Sequence, residues 1–250
     1  MVYFQKYGFS KAQLSTFILG CPLDAVQKHV VLAPCWQPES VGILDAVPIG
    51  DGRLSIWNCM FNQRNFTYIV AGVGAGICAD VVMALQETPC QKLLFIGSAG
   101  SVDETIEVGD WVVPEAMVSA DGLCRYLSDD CGVDCYGQEY RPHLGMQQTL
   151  ADALHGTVHR ERGISVETLY SQFRHIPAFQ KMGCRVLDME SAAVLKSATC
   201  AGIEASVVFC ISDNALLQQS LVTVPETLTK QRKQVRQEVM PRALDGFLQI

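Results

Sequence analysis

Two acidic residues directly follow apolar runs that are typical of buried strands. Glu190 lies in LDMES (187–191) and Asp213 in CISDN (210–214). A carboxylate can accept hydrogen bonds from two adjacent hydroxyl groups, and a protonated carboxyl can donate a proton to a leaving group. Glu190 is therefore a candidate for binding a diol, and Asp213 is a candidate general acid. A purely structural interpretation stays open for both: Glu190 as an acid in the first turn of a helix, and Asp213 as an N-cap or turn residue.

Two glycine-rich turns follow other apolar runs. GVGAG contains Gly72, Gly74 and Gly76, and GSAG (97–100) contains Ser98. Glycine lets backbone amides approach an anion or a sugar at a helix N-terminus, although a tight strand–helix turn explains the pattern equally well. Neither turn is a GxGxxG, Walker or GxSxG motif. We therefore expect Ser98 to donate a hydrogen bond rather than to attack as a nucleophile.

The elements that must position these residues alternate between apolar strands and helical patterns. This alternation predicts an α/β protein whose parallel or mixed sheet is covered by helices on both faces, with ligands at the carboxyl ends of strands. We expect one domain over residues 1–250. Residues 121–143 are predicted to be a long loop. The predicted strands are 15–21, 29–35, 53–61, 66–74, 92–100, 110–120, 156–167, 184–188 and 204–212, and the predicted helices are 76–87, 144–155, 174–182, 190–201 and 225–248.

The composition argues against several functional classes. The 250 residues are 49% apolar and 18% charged, which suits a globular protein with a sizeable core. A net charge of −7 without a basic block gives no footprint for nucleic acid or an anionic membrane. Neither a membrane-spanning run nor a signal peptide is recognisable, and eleven scattered cysteines fit a reducing compartment, so we expect a cytoplasmic protein. The spacing of Cys124, Cys131 and Cys135 lacks a paired C-x2-C, so we predict no metal and no cofactor.

Six collinear segments resemble the nucleoside phosphorylase/nucleosidase superfamily, which includes purine nucleoside phosphorylase, uridine phosphorylase and methylthioadenosine/adenosylhomocysteine nucleosidase. GCPLDAV at 20–26 is similar to the family's G-D-P-x-R loop. The others are VAGVGAG at 70–76, IGSAGSVDETIEVGDWVVP at 96–114, SVETLY at 165–170, LDMESAAV at 187–194 and CISDN at 210–214. The resemblance implies a three-layer α/β/α sandwich with a central mixed β-sheet. It also implies a homo-oligomer, either a dimer, a trimer or a hexamer.

The resemblance further implies a role for each matching residue. Glu190 would bind the ribose 2′- and 3′-hydroxyls while Met189 packs on the sugar. Asp213, with Ser212 beside it, would protonate or hydrogen-bond N7 of a purine as the glycosidic bond breaks. Tyr170 would line the base or sugar pocket.

The positions at which the family binds phosphate differ in this chain. Ser98 and the turn at Gly74 would face the nucleophile, but Asp24 and Phe95 stand where the phosphorylases carry arginines, and Arg53 is the first arginine in the chain. A phosphate dianion beside a carboxylate needs a compensating cation. Hydrolytic members lack these arginines and activate water with a carboxylate from the first loop. We therefore predict that Asp24, together with Ser98, activates water.

Two further departures point the same way. The segment LLQQSLVTVPET after Asp213 lacks the arginine that assists this acid in purine phosphorylases, and Phe4, Lys6 or Tyr7 occupies the place of an N-terminal histidine. The leading prediction is a purine-type nucleosidase that acts on a small-molecule nucleoside with water. Two alternatives stay open: a phosphorylase with an atypical phosphate site, and a non-catalytic nucleoside-binding or storage protein.

Overall fold

The computed structural model of the protein describes residues 3–154, 158–220, 222 and 226–250, without the side chains of residues 3, 226–228 and 231. Within these residues, the strands join into one mixed sheet. The strands are β1 His29–Ala33, β2 Ala46–Pro48, β3 Ser55–Phe61, β4 Arg64–Val70, β5 Lys92–Ser101, β6 Trp111–Val112, β7 Ala116–Ser119, β8 Glu139–Tyr140, β9 Val158–His159, β10 Arg162–Ser165, β11 Val186–Asp188 and β12 Glu204–Asn214. The helices are α1 Tyr3–Lys6, α2 Lys11–Leu19, α3 Ala75–Ala84, α4 Leu144–Leu154, α5 Ile176–Lys181, α6 Ser191–Ala201 and α7 Glu226–Gln249.

Helices cover both faces of the sheet, which gives the three-layer α/β/α sandwich that the resemblance implied. Successive side chains of a strand point to opposite faces, so a strand that is apolar at every position requires cover on both sides. In β5, Leu93 and Phe95 pack with α2, α3 and α6, whereas Leu94 and Ile96 pack with α4 and α7. The near-continuous apolar run in β5 therefore reflects a strand that is buried between two helical layers.

The sheet branches at β5. On one edge, β12 runs parallel to β5 along its whole length. On the other edge, β1 pairs with β5 only as far as Phe95, and the antiparallel β11 pairs only at Gly100 and Ser101. Among the described strands, none pairs with that edge of β5 between Phe95 and Gly100. The branch leaves a crevice at the carboxyl end of β1, where ligands bind in open α/β sheets.

Most predicted elements are present, with one wrong assignment at the N-terminus. Residues 15–21, predicted as a strand, belong largely to helix α2. The Ser10 hydroxyl accepts a hydrogen bond from the Gln13 backbone, the Gln13 side chain accepts one from the Ser10 backbone, and Gly20 ends the helix at φ 64°. This capping box and glycine C-cap are local helix signals that outweigh a short apolar run.

Other predicted elements are shorter or divided. The predicted strand at 110–120 is split around Pro114 into β6 and β7, because proline cannot donate a ladder hydrogen bond. The predicted strand at 156–167 corresponds to β9 and β10, and the predicted loop at 121–143 contains β8 and a 3₁₀ turn at Leu123–Arg125. The predicted positions at 155–157 and 225 lie outside the described residues. In the described part of the chain, no helix is long and apolar enough to cross a membrane.

Candidate active site

A cavity of about 200 Å³, which we call the site cavity, lies in the crevice beside β5. The residues that line it stand at or shortly after the carboxyl ends of β1, β4, β5, β10, β11 and β12, which is where ligands bind in open α/β sheets. Most of the segments singled out in the sequence meet here. The lining residues are Pro34, Cys35, Val73, Ser98, Ala99, Gly100, Leu169, Gln172, Leu187, Asp188, Met189, Glu190, Ser212 and Asp213.

Glu190 reaches the cavity because strand β11 leads directly into helix α6. Its side chain is only 5% exposed, and its Oε1 atom accepts a hydrogen bond of 2.8 Å from the backbone N–H of Gly74. Gly74 has φ 123°, a left-handed conformation that favours glycine. Burial, together with the nearby Asp188 carboxylate, raises the pKa of Glu190 to about 7. Hydrogen bonds from the backbone N–H groups of Gly74 and Met189 partly oppose this rise.

Asp188 holds the first turn of α6 in place. Its carboxylate accepts hydrogen bonds from the backbone N–H groups of Glu190 at 3.1 Å and Ser191 at 2.6 Å, and from the Ser165 hydroxyl. Ser165 in turn accepts a bond from the Ala192 backbone at 2.9 Å. Burial raises the pKa of Asp188. The first backbone N–H groups of a helix have no partner within the helix, so Asp188 caps α6 by accepting from them. This cap fixes the position of the Glu190 backbone.

Asp213 enters the cavity through an irregularity in β12. The register of β12 against β5 shifts between Ile211 and Asp213, and such a bulge re-aims a side chain. The Asp213 side chain is 8% exposed, and its Oδ1 atom accepts a 2.7 Å bond from the Ser212 hydroxyl. A Cβ atom at Gly100 would lie 3.1 Å from Asp213 Oδ2, so glycine at this position makes room for the acid. Burial raises the pKa of Asp213, which favours the protonated form that a general acid needs.

Sequence reasoning missed an arginine near Asp213. The segment directly after Asp213 has none, but helix α7 returns Arg232 to this region, where its positive charge opposes the rise in the pKa of Asp213. The Nε and Nη2 atoms of Arg232 are buried without a hydrogen-bond partner. No spacing rule could have located this arginine, because the contact depends on how α7 packs over the sheet.

The part of the site cavity formed by β5 and by the residues after β1, which we call the neutral wall, contributes no charged side chain. Ser98 is exposed on β5 in its unpaired stretch, and Cys35 follows β1. Among the described residues that line the site cavity, none is lysine or arginine. Phe95, at a position where the resemblance led us to expect arginine, is 1% exposed and packs edge-on against Phe209. This wall therefore offers a phosphate dianion no direct cation.

Asp24 does not line the site cavity, so its predicted position beside the attacking water is corrected. It is exposed in a 3₁₀ turn (Leu23–Ala25) that precedes β1, whereas the cavity lies after β1. The five residues of β1 separate the two ends by roughly 16 Å at about 3.3 Å per residue. The loop that enters the cavity is Pro34–Trp36, so the resemblance of residues 20–26 to the family's first loop was assigned one element too early.

The remaining predicted residues divide into two groups. Met189, Ser212 and the Gly74 backbone are at the site: Met189 and Ser212 line the cavity, and Gly74 anchors Glu190. Tyr170 is 94% exposed and does not line the cavity, where its neighbour Leu169 stands instead. In the described part of the chain, no group of three or more His, Cys, Asp or Glu residues is arranged to hold a metal ion.

A second cavity, which we call the side cavity, adjoins the first. Its volume is about 280 Å³, and it shares Leu169 and Asp213 with the site cavity. Asp213 therefore stands at the junction between the two.

Comparison with known proteins gives matches over most of the chain. The family model of the phosphorylase superfamily matches residues 38–245. A DeoD-type purine nucleoside phosphorylase from Streptococcus suis is 26% identical over 176 residues, which cover 66% of this chain and 68% of that protein. Its counterpart from Exiguobacterium sibiricum is 24% identical over 190 residues, which cover 72% and 75%. The crystal structure of a uridine phosphorylase from Vibrio fischeri superposes with a TM-score of 0.75 at 15% identity, covering 90% of this chain and 93% of that one.

Proposed function

Because this chain belongs to the phosphorylase superfamily, in its nucleoside phosphorylase/nucleosidase group, we propose that it cleaves the N-glycosidic bond of a purine nucleoside with water. One observation carries the proposal. Two buried carboxyl groups, Glu190 and Asp213, share a cavity whose described lining contains no lysine or arginine. The carboxyl groups fit a sugar and a leaving base, and the neutral wall fits water better than phosphate.

In the proposed reaction, Glu190 binds the sugar. The Glu190 carboxylate accepts hydrogen bonds from the 2′- and 3′-hydroxyls, and the Met189 side chain packs against the ring. The Gly74 and Asp188 contacts hold the Glu190 carboxylate in one position before the substrate arrives. Binding in this way orients C1′ toward the neutral wall at low entropic cost.

Asp213 acts on the leaving base. The C1′–N9 bond breaks with both electrons going to the base, and Asp213 transfers its proton to N7, so the base leaves neutral. Burial raises the pKa of this carboxyl, which keeps the proton available. The water oxygen bonds to C1′ and loses a proton to solvent, and Asp213 regains a proton from solvent. Nucleoside and water thus give free base and free sugar.

Ser98 supplies the polar contact on the nucleophile side. Its side chain lies on the stretch of β5 that has no strand partner on the cavity edge. A hydroxyl there can hydrogen-bond the attacking water without a formal charge. Asp24, exposed before β1, has no part in this mechanism.

Measuring the products with and without phosphate tests the proposal. Purified protein is incubated with adenosine, inosine and uridine, and base and sugar are followed by chromatography. We expect free ribose at a rate that changes less than twofold on adding phosphate, with ¹⁸O from labelled water at C1′. Strict phosphate dependence with ribose 1-phosphate as product overturns hydrolysis. Phosphorolysis is the second candidate function, because the similar proteins from Streptococcus suis and Exiguobacterium sibiricum are purine nucleoside phosphorylases.

A further inference from the structure

The walls of the side cavity suit a flat, largely apolar group. Leu169, Phe173, Ala215 and Val222 contribute apolar surface, and the polar lining residues follow Asp213 along the chain. Under the proposed function, with the sugar at Glu190 and N7 at Asp213, the six-membered ring of the base occupies this cavity. The polar groups here therefore face the edge of the base beside N7.

Asn214 has no capacity left for a ligand, since its side chain holds the loop together. It is fully buried, and its amide nitrogen donates to the Ser101 hydroxyl and to the carbonyls of Asp103 and Ile106. Its Oδ1 atom accepts from the backbone of Leu216 and Leu217. The loop after Asp213 is therefore pinned to the end of β5.

Gln219 is the residue that this loop holds against the cavity. Its backbone forms a bridge with Asn214, with two reciprocal hydrogen bonds of 3.0 Å. Its side chain lines the side cavity, and within the described structure its Oε1 atom is buried without a hydrogen-bond partner. The carboxamide oxygen is inaccessible to solvent, so a turn of the carboxamide toward the side cavity is needed before a ligand donor can reach it, and the hydrogen bond then removes an unfavourable unpaired acceptor.

We propose that Gln219 determines base specificity by accepting a hydrogen bond from the exocyclic 6-amino group of the purine. This inference rests on the proposed function for the orientation of the ligand. A 6-aminopurine presents an acceptor, N7, beside a donor, the 6-amino group. Protonated Asp213 and the Gln219 carboxamide oxygen form the complementary pair. A 6-oxopurine presents two acceptors along this edge, so it cannot pair with the carboxamide oxygen, and the Gln219 amide has to turn its nitrogen toward the base to form a hydrogen bond.

The test compares adenosine with inosine in wild type, Gln219→Leu and Gln219→Glu. We expect wild type to favour adenosine in kcat/KM by about tenfold, the worth of one hydrogen bond near 1.4 kcal/mol. Gln219→Leu lowers kcat/KM for adenosine by about tenfold and leaves inosine within twofold. Gln219→Glu keeps the preference, because a carboxylate only accepts. Gln91→Leu, an exposed glutamine on another turn, is the matched control and changes neither substrate.

A binding measurement keeps this test separate from the proposed reaction. Calorimetry with 9-methyladenine and 9-methylhypoxanthine measures the preference without any bond cleavage. Absence of base release with every nucleoside defeats the proposed function, while tighter binding of 9-methyladenine that is lost in Gln219→Leu still supports the role of Gln219. An adenine preference that is unchanged in Gln219→Leu, or a wild-type preference for the 6-oxo base, overturns it.

Discussion

The two walls of the site cavity differ in how they are built. On one wall, helix α6 and the irregular end of β12 deliver two buried carboxyl groups, and Asp188, Ser212 and the Gly74 backbone hold them. On the neutral wall, β1 and β5 deliver Cys35 and Ser98, which carry no formal charge as ordinary thiol and hydroxyl groups. Burying a carboxyl group is energetically unfavourable, and buried carboxyl groups with shifted pKa values are common at functional sites. The contrast supports the proposal that the acidic wall recognises sugar and base and that the neutral wall accommodates water rather than an anionic nucleophile.

Removing the acid at the base side should have the largest effect. Asp213→Asn keeps the shape but has no proton to give, so kcat for purine nucleosides should fall by roughly 10²–10⁴. Wild-type activity should also decline as pH rises past the raised pKa of Asp213, and this decline should vanish in the variant. A nucleoside analogue with a p-nitrophenol leaving group needs no acid and serves as the control. Equal losses for both substrates would show that Asp213 does not act as the acid.

The second-largest loss of activity is expected when Glu190, which is proposed to bind the sugar hydroxyls, is replaced. Glu190→Ala deletes the acceptors for two hydroxyls, each worth roughly 1.5–3 kcal/mol when the partner is charged, so kcat/KM should fall by about 10²–10⁴. Steady-state kinetics with adenosine and 2′,3′-dideoxyadenosine measure the effect. The dideoxy substrate should lose little further activity in the variant, because its missing hydroxyls make no contact to remove. Glu104→Gln, an exposed acid on a loop, is the control.

A smaller effect should appear in stability. The pKa of Glu190 rises from 4.5 to about 7 in the folded chain, so between these values the folded state holds a proton that the unfolded state has lost. The free energy of unfolding that Glu190 contributes is full below pH 4.5 and is lost as pH rises through 7. Glu190→Gln imitates the neutral acid and should gain up to about 3 kcal/mol over wild type between pH 4.5 and 8. Urea titrations at both pH values measure it, and parallel curves for the two proteins would contradict it.

The smallest effect should be at Asp24. Asp24→Asn should change kcat/KM by less than twofold, because the residue is exposed on the far side of β1 from the cavity. Ser98→Ala is the informative partner variant, since Ser98 lies on the nucleophile wall and should lose about tenfold, the worth of one hydrogen bond. A large loss in Asp24→Asn would return this residue to the mechanism and contradict the assignment of the loop at 34–36 to the cavity.

The sequence by itself determined the elements and the acidic wall. Buried strands and helices alternate with clear apolar patterns, and Glu190 follows its strand within two residues, so local geometry fixes its position. The wrong strand at 15–21 was also avoidable in principle, because Ser10, Gln13 and Gly20 are helix-capping signals in the sequence. Information that lies within one element and its caps can be read directly from neighbouring residues.

Only the tertiary structure decided the other wall and the base end of the site. Which loop faces the crevice depends on where β1 and β11 stop pairing with β5, and this placed Pro34–Trp36 at the site instead of Asp24. Arg232 and Gln219 reach the neighbourhood of Asp213 through helix packing and a backbone bridge. Such contacts join residues that are distant along the chain, and their geometry is set by sheet branching and side-chain packing, for which no short sequence spacing is diagnostic.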